Sequence, residues 1–254
     1  MRTVLITGAS SGIGEACAQV LAGESKYRLL LCARRLGRLE ELQHKIQSAY
    51  PACEIFCFEL DVRDRQEVET TLNNLPKAWR NIDVLINNAG LSQGLEPIQD
   101  GDTGDWDRMI DTNVKGLLYV TKYLIPLMQN SLAPHIINLG SIAGKEVYPN
   151  GNVYCATKHA VDALTRAMRI DLLHKGIKVS SVAPGMVETE FSEVRFKGDE
   201  QRAKSVYRGL TPLSGKDIAE IIAFVLSRPA HVNINDILVM PTAQANGTIV
   251  VRKS

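Results

Sequence analysis

Residues 3–14 of this 254-residue chain read TVLITGASSGIG. A short β-favouring apolar run ends there in a loop with glycines at 8, 12 and 14, and apolar residues at helical spacing follow from Ala16. In α/β proteins, such glycines let the backbone turn tightly and approach a phosphate, and the helix behind them offers free N–H groups. A tight strand-to-helix turn that binds nothing gives the same pattern, so the loop needs support from the rest of the chain.

The rest of the chain continues the alternation of short apolar runs with helix-period stretches to about residue 185. Parallel strands joined by crossover helices produce this pattern. It predicts one α/β domain over residues 1–254, with a Rossmann-type, doubly wound parallel sheet of about seven strands flanked by helices. The expected strands are Thr3–Thr7, Arg28–Ala33, Glu54–Glu59, Val84–Asn87, His135–Leu139, Lys178–Ala183 and Asp236–Met240, with helices at Leu36–Ala49, Trp106–Gln129 and Val153–His174.

The composition of the chain gives little reason to expect nucleic acid, a membrane or a metal ion as a partner. Lys and Arg total 29 against 28 for Asp and Glu, which gives no general electrostatic reason to expect nucleic acid or a membrane surface. No apolar run resembles a signal peptide or a membrane span, so we expect a cytoplasmic protein. Five cysteines without a CxxC pair are interpreted as reduced packing residues, and no metal is expected. They are Cys17, Cys32, Cys53, Cys57 and Cys155.

Two arginines follow the second predicted strand, about twenty residues beyond the glycine loop. An acid at this place bonds the ribose 2′-hydroxyl of NAD, whereas a guanidinium binds a 2′-phosphate, so Arg34 and Arg35 indicate NADP(H). We expect Arg34 to be the clamp, although both arginines could simply solvate a strand end. Asp61, expected against the adenine, ends the third strand at the same edge of the sheet. The predicted cofactor contacts are Gly8, Ser10, Ser11, Gly12, Ile13, Gly14, Arg34, Arg35, Asp61, Val62, Asn88, Ala89 and Gly90.

Tyr154 and Lys158 lie four residues apart in a helix-period stretch, so their side chains share one face. A solvated helix face would give the same pair. Ser141 closes the fifth predicted strand, and Asn113 lies in the long helix before it. These residues, the glycine loop, Asn87–Gly90 and Pro184-Gly185 resemble the short-chain dehydrogenase/reductase family in order and spacing over nearly the whole chain. One departure is Ser11, where some NADP-using members carry a basic residue.

The resemblance implies a role for each of these residues. Tyr154 would exchange a proton with the reacting oxygen, and Lys158 would lower the pKa of that phenol and bond the nicotinamide ribose. Ser141 would hold the carbonyl oxygen, and Asn113 would position a water that connects Lys158 to solvent. Further cofactor contacts are implied at Tyr154, Lys158, Pro184, Gly185, Val187 and Thr189.

The substrate is predicted from the segment after Pro184, where the strand and helix alternation fails. Residues 186–215 are expected to form a substrate lid. The segments Pro184–Asp199 and Pro229–Asp236 resemble the NADP-dependent 3-hydroxy acid dehydrogenase branch, whose members oxidise serine, allo-threonine and related acids. Arg195 is expected to bind the substrate carboxylate, with Lys145 as a second candidate. Alternatively, Arg195 pairs with Glu188 or Glu193 on a surface helix.

Two other functions remain open at this point. The same catalytic residues would serve a reductase of 3-oxoacyl thioesters or of varied ketones and dicarbonyls. A catalytically silent NADP(H) sensor or scaffold is less compatible with the complete set of catalytic residues.

The family resemblance also implies a homotetramer. The helices Trp106–Gln129 and Val153–His174 carry more apolar residues than one sheet contact needs, although full burial would explain them as well. The tail, residues 242–254, is expected to dock on a neighbouring subunit, because its short apolar run could not order itself alone.

Overall fold

The computed structural model describes residues 1–253 as one α/β domain around a seven-stranded sheet in which every strand is parallel to its neighbours. The strand order is β3-β2-β1-β4-β5-β6-β9. The chain therefore winds outward from the centre in both directions, and the order reverses between β1 and β4. The strands are β1 Arg2–Thr7, β2 Tyr27–Ala33, β3 Ile55–Glu59, β4 Val84–Asn87, β5 His135–Leu139, β6 Lys178–Pro184 and β9 Asp236–Val239.

Helices cover both faces of this sheet, which is why the central strands read as unbroken apolar runs. One apolar core lies under α1, α2 and α9, and a second lies under α3, α5 and α6. The helices are α1 Gly12–Ala22, α2 Leu36–Ala49, α3 Arg65–Asn73, α4 Thr103–Ile110, α5 Leu117–Leu124, α6 Asn152–Asp171, α7 Phe191–Arg195, α8 Glu200–Ser205 and α9 Gly215–Leu226. Within residues 1–253, no helix is both long enough and apolar enough to cross a membrane.

The predicted fold class and all seven strands are confirmed, with strand ends that differ by no more than one residue. The two long helices differ more. Trp106–Gln129 is divided into α4, a π-helical turn at Asp111–Gly116, α5 and a 3₁₀ turn at Ile125–Met128. Pro126 lacks the N–H that an α-helix needs, which accounts for the last change.

The second long helix ends earlier than predicted. α6 stops at Asp171, and a 3₁₀ turn at Leu173–Lys175 leads into Gly176, whose φ is +67°. Glycine adopts this left-handed conformation without steric cost, and so the helix ends here rather than continuing.

The predicted lid segment is tied down at both ends. β7 Val187–Glu188 and β8 Leu213–Ser214 pair in parallel and bring the ends of the segment together, and α7 and α8 lie between them. No sequence pattern predicts this pairing, because strands of two residues are too short to show a period.

The tail makes backbone hydrogen bonds within its own chain, and its docking on a neighbouring subunit stays a prediction. The Val251 N–H donates to the Ala243 carbonyl at 2.8 Å, and the Lys253 N–H donates to the Gly209 carbonyl at 2.7 Å. The ordering of the tail therefore comes from backbone hydrogen bonds, while the side chains of Ile249 and Val251 remain exposed.

The glycine loop sets a tight limit on side-chain size. A Cβ at position 14 would lie 2.5 Å from both the Gly8 carbonyl oxygen and the Asn88 amide nitrogen. Gly14→Ala should therefore lower the free energy of unfolding by about 1–3 kcal/mol, measured by urea denaturation. Gly37→Ala is the matched control, because a Cβ in that helix meets nothing within 4 Å. The control should be stabilised by about 0.5–1 kcal/mol. Equal effects of the two substitutions would contradict the close packing at Gly14.

Candidate active site

The site begins where β1 and β4 end side by side, at the reversal of strand order. The Asn88 side-chain amide donates to the backbone carbonyls of Thr7 at 2.9 Å and Gly8 at 3.1 Å. In return, the Thr7 hydroxyl oxygen accepts from the N–H groups of Asn88 and Ala89. These four bonds hold the glycine loop against the end of β4 and leave the N-terminus of α1 open toward the crevice.

A cleft of about 350 Å³ follows this edge of the sheet. It brings together most of the residues that the sequence assigned to cofactor and catalysis. Those lining the cleft are Gly8, Ser10, Ser11, Gly12, Ile13, Arg34, Arg35, Asp61, Val62, Asn88, Ala89, Gly90, Ser141, Tyr154, Lys158, Pro184, Gly185, Val187 and Thr189. Gly14, Asn113, Lys145 and Arg195 do not line it.

One end of the cleft is strongly basic. The Arg35 guanidinium donates to the hydroxyls of Ser10 at 3.3 Å and Ser11 at 3.1 Å, and it forms an ion pair with Glu190 at 3.1 Å. Arg34 is exposed and has no hydrogen-bond partner within residues 1–253. The structure thus places Arg35, rather than the preferred Arg34, in contact with the glycine loop.

Asp61 lies in the cleft wall, but its carboxylate is already engaged. Both of its oxygens accept from the Arg63 guanidinium, with distances of 2.5–3.0 Å. Burial raises the pKa of Asp61, yet these bonds outweigh it and hold the pKa below its usual range. An adenine amine would have to share this carboxylate with Arg63, which the sequence did not reveal.

The catalytic candidates meet near the middle of the cleft. Tyr154 and Lys158 lie on α6, and both are more than nine-tenths buried. The Lys158 ammonium donates to the Leu139 carbonyl at 2.8 Å, at the end of β5. Ser141 follows β5, and its hydroxyl oxygen accepts from the Ala143 N–H at 3.1 Å. The Ser141 hydroxyl also lies close enough to Tyr154 to favour the ionised form of the phenol.

Burial dominates the electrostatics of this pair. Burial raises the pKa of Tyr154 above its usual range, whereas Arg195 and the Ser141 hydroxyl act to lower it. Burial also lowers the pKa of Lys158 to about 8. Loss of solvent dominates both groups in the protein without cofactor, and the lowering of the phenol pKa by Lys158 stays a prediction.

Asn113 lies in the π-helical turn, behind the cleft. Its carbonyl oxygen accepts from the Leu91 N–H at 2.8 Å, and its amide donates to the Leu91 carbonyl at 2.8 Å and to the Thr157 hydroxyl at 3.0 Å. The Thr157 hydroxyl in turn donates to the Tyr154 carbonyl at 2.8 Å. The wide turn thus connects the loop after β4 to the helix that carries Tyr154, and π-helical turns are often found at functional sites.

Arg195 reaches Tyr154 from the segment between β7 and β8. Its guanidinium carbon lies 5.2 Å from the centre of the Tyr154 ring. Its Nε donates to the Ser92 hydroxyl at 3.0 Å and its Nη2 to the Tyr148 hydroxyl at 2.7 Å. Neither Glu188 nor Glu193 pairs with it, so the surface ion pair considered for Arg195 does not form. With Tyr154 and Ser92, Arg195 lines a smaller depression that adjoins the cleft.

Lys145, the second candidate for a substrate carboxylate, is occupied elsewhere. Its ammonium is 2.5 Å from carboxylate oxygens of both Asp162 and Asp236. The structure therefore does not bring Lys145 into the cleft, because these two acids hold its charge outside it.

Sequence reasoning missed four residues that shape the site. Ser92 and Tyr148 orient Arg195, Thr157 connects Asn113 to α6, and Glu190 pairs with Arg35. Thr157 and Ser92 are adjacent to recognised motif residues, which is a weak signal. No spacing rule points to Tyr148 or Glu190, since each meets its partner through the fold.

The chain resembles known proteins over nearly its full length. A family model described as short chain dehydrogenase matches residues 2–200. The NADP-dependent 3-hydroxy acid dehydrogenase of Schizosaccharomyces pombe is 43% identical over 99% of this chain and 97% of its own. Sulfoacetaldehyde reductase 2 of Chromohalobacter salexigens is 44% identical over 95% of each. The closed form of a serine dehydrogenase complexed with NADP⁺ superposes with a TM-score of 0.91 at 40% identity, over 99% of this chain and 100% of that one.

The burial of Lys158 should cost stability in a pH-dependent way. Its pKa is about 8 in the folded protein against 10.5 for an ordinary lysine. The unfolded chain therefore binds the proton more tightly, and the cost is complete below pH 8 and disappears as the pH rises toward 10.5. At pH 7, Lys158→Met should be more stable than the wild type by up to about 3 kcal/mol.

Urea denaturation of both proteins between pH 6.5 and 10.5 measures this difference. The wild type serves as the reference at each pH, which cancels the contributions of the other titrating groups. A gap that stays constant over the whole range would contradict the lowered pKa of Lys158.

Proposed function

Since this chain belongs to the short-chain dehydrogenase family, we propose that it transfers a hydride between NADP(H) and a small 3-hydroxy acid such as serine, allo-threonine, 3-hydroxypropionate or 3-hydroxybutyrate. The observation that carries the proposal is the placement of the Arg195 guanidinium 5.2 Å from the Tyr154 ring, which puts an anion-binding group next to the proposed proton donor. A 3-hydroxy acid has its carboxylate and its reacting oxygen close together, as this arrangement requires.

The residues along the cleft fit NADP(H). The open N-terminus of α1 suits a pyrophosphate, because its backbone N–H groups and helix dipole favour anions. The hydroxyls of Ser10 and Ser11 and the guanidinium of Arg35 form a basic, polar pocket of the kind that a 2′-phosphate needs. When bound, the nicotinamide accepts or supplies the hydride.

The proton transfer is assigned to the chain's own side chains. The raised pKa of Tyr154 keeps its phenol protonated near neutrality, so in the reductive direction Tyr154 donates a proton to the oxygen of the reacting carbonyl. Ser141 holds that oxygen through its hydroxyl proton. Lys158 donates one ammonium proton to the Leu139 carbonyl and has others for a ribose hydroxyl. Asn113 fixes the position of α6 through Thr157.

Arg195 is suited to a carboxylate because two neighbours fix it without using all its donors. Ser92 and Tyr148 engage Nε and one Nη2 proton, which leaves both Nη1 protons and the second Nη2 proton without a partner within residues 1–253. A planar carboxylate can accept two parallel bonds from such an edge. The residues at 186–215 would then close over the substrate as a lid.

We also propose that the enzyme is a cytoplasmic homotetramer. Ile110 and Leu118 remain exposed on α4 and α5, and so do Ala163 and Ala167 on α6, which supports helix contacts between subunits. Leu117, Val120 and Leu124 lie in the subunit's own core instead. Five free thiols suit a reducing compartment.

Multi-angle light scattering tests the assembly. A tetramer of 27.9 kDa chains should have four times that mass. A monomer at micromolar concentration would overturn this part of the proposal.

Replacing the phenol should remove turnover. Tyr154→Phe keeps the ring that packs edge-on against Phe191 but has no proton to transfer. NADP⁺ reduction with serine, allo-threonine, 3-hydroxypropionate or 3-hydroxybutyrate should fall by at least about a hundredfold, while NADPH binding, followed by fluorescence, is unchanged.

The wild-type protein is assayed with the same 3-hydroxy acids and with three alternative substrates: sulfoacetaldehyde, a 3-oxoacyl thioester and a dicarbonyl. NAD⁺ replaces NADP⁺ in a parallel series. Turnover of 3-hydroxy acids with NADP⁺ supports the proposal. Activity confined to the other substrates would move the function to a reductase of those compounds.

Removing the guanidinium should affect substrate binding more than chemistry. We expect Arg195→Ala to raise the KM for 3-hydroxy acids about 10–100-fold, since a charge-assisted pair is lost, with a smaller change in kcat. Arg202→Ala on α8 is the matched control, because its guanidinium contacts the Phe196 ring instead. An unchanged KM in Arg195→Ala would remove Arg195 from the substrate site.

A further inference from the structure

Glu190 stands at the basic end of the cleft, between the cofactor residues and the lid helix. Its two carboxylate oxygens are divided between two guanidiniums. One oxygen is 3.1 Å from Arg35, and the other pairs with Arg38 on α2. Both arginines hold the pKa of Glu190 below its usual range, in spite of partial burial, so the carboxylate is charged at neutral pH.

The Arg35 nitrogen that meets Glu190 is the one that contacts the glycine loop. The same Nη2 donates to Ser10, Ser11 and Glu190. This is where the proposed function places the 2′-phosphate. A carboxylate and a phosphate dianion repel each other, and a single guanidinium edge does not satisfy both at full strength.

Glu190 is also joined directly to the substrate side. It follows Thr189, which lines the cleft, and precedes α7, which ends at Arg195. The backbone carbonyl of Arg195 accepts from the Gly94 N–H at 3.0 Å. Glu190 and Arg195 therefore stand at the two ends of one short helix.

We propose that Glu190 is a cofactor-specificity residue. Its carboxylate occupies the 2′-phosphate binding site formed by Arg35 and Arg38, and it is displaced when NADP(H) binds. The proposal rests on the NADP(H) function. A nucleotide without the 2′-phosphate leaves the ion pairs intact. The 2′-phosphate takes over the two arginines, and the freed carboxylate loosens the start of α7.

Binding of 2′,5′-ADP and 5′-AMP, measured by titration calorimetry, tests the competition without any turnover. Glu190→Gln removes the charge and keeps the size of the side chain. We expect the variant to bind 2′,5′-ADP about three- to tenfold more tightly than the wild type, with 5′-AMP unchanged. The gain should shrink in high salt, because exposed charges are screened.

Glu193→Gln is the matched control. Glu193 lies on the same helix, is exposed, and has no side-chain partner within residues 1–253. It should leave both affinities unchanged. If Glu193→Gln increases the affinity for 2′,5′-ADP as much as Glu190→Gln does, the effect comes from the net charge of the region and not from competition for Arg35. That result would overturn the proposal.

Hydrogen exchange of residues 189–196 supplies the second readout. In the wild type, 2′,5′-ADP should speed exchange at the start of α7, and Glu190→Gln should exchange as fast without ligand. Unchanged or weaker 2′,5′-ADP binding in Glu190→Gln would overturn the proposal and make Glu190 a support for the arginines. If the wild type binds 2′,5′-ADP no better than 5′-AMP, the NADP(H) function itself fails, and the proposal with it.

Discussion

The hydrogen bonds that join Thr7 and Gly8 to Asn88 and Ala89 are the constraint on which the rest of the site depends. They join the end of β1 to the end of β4, which is the point where the strand order of the open sheet reverses. This junction fixes the glycine loop against β4. The pairing of β4 with β5 extends that position to the strand before Ser141, and the bond from Lys158 to Leu139 ties α6 to the end of β5. The junction requires glycine at positions 8 and 14, because a Cβ at either position would clash with Asn88 or Ala89. The close packing that results sets the shape of the crevice.

Stability and chemistry oppose each other at Lys158. A buried ammonium is costly unless it is fully paired, and Lys158 has a single carbonyl partner within the described residues. Tyr154 next to it is equally enclosed and meets the guanidinium of Arg195 across its ring. Such a cluster contributes little to folding. Its retention is understandable if its value lies in bond-making within the cleft.

The sequence predicted the fold and the middle of the site because both depend on local patterns. Strand period, the glycine loop and the four-residue spacing of Tyr154 and Lys158 can be recognised without tertiary structure. Three features could not be predicted: the π-helical turn around Asn113, the contact of Arg35 rather than Arg34 with the glycine loop, and the ion pairs of Lys145 with Asp162 and Asp236. Each depends on partners brought together over long sequence separations. The same holds for the pKa of Tyr154, because burial is a property of the assembled fold.

The segment between β7 and β8 has consequences for protein engineering. Three of its residues contact other parts of the chain. Glu190 pairs with Arg35 and Arg38. Arg195 bonds Ser92 and Tyr148, and Gly209 bonds the tail. A graft of this segment from a relative, made to redirect the choice of substrate, would carry only one half of each contact. Successful chimaeras will therefore need the partner residues to be exchanged together with it: those at the start of α2, in the loops after β4 and β5, and in the tail.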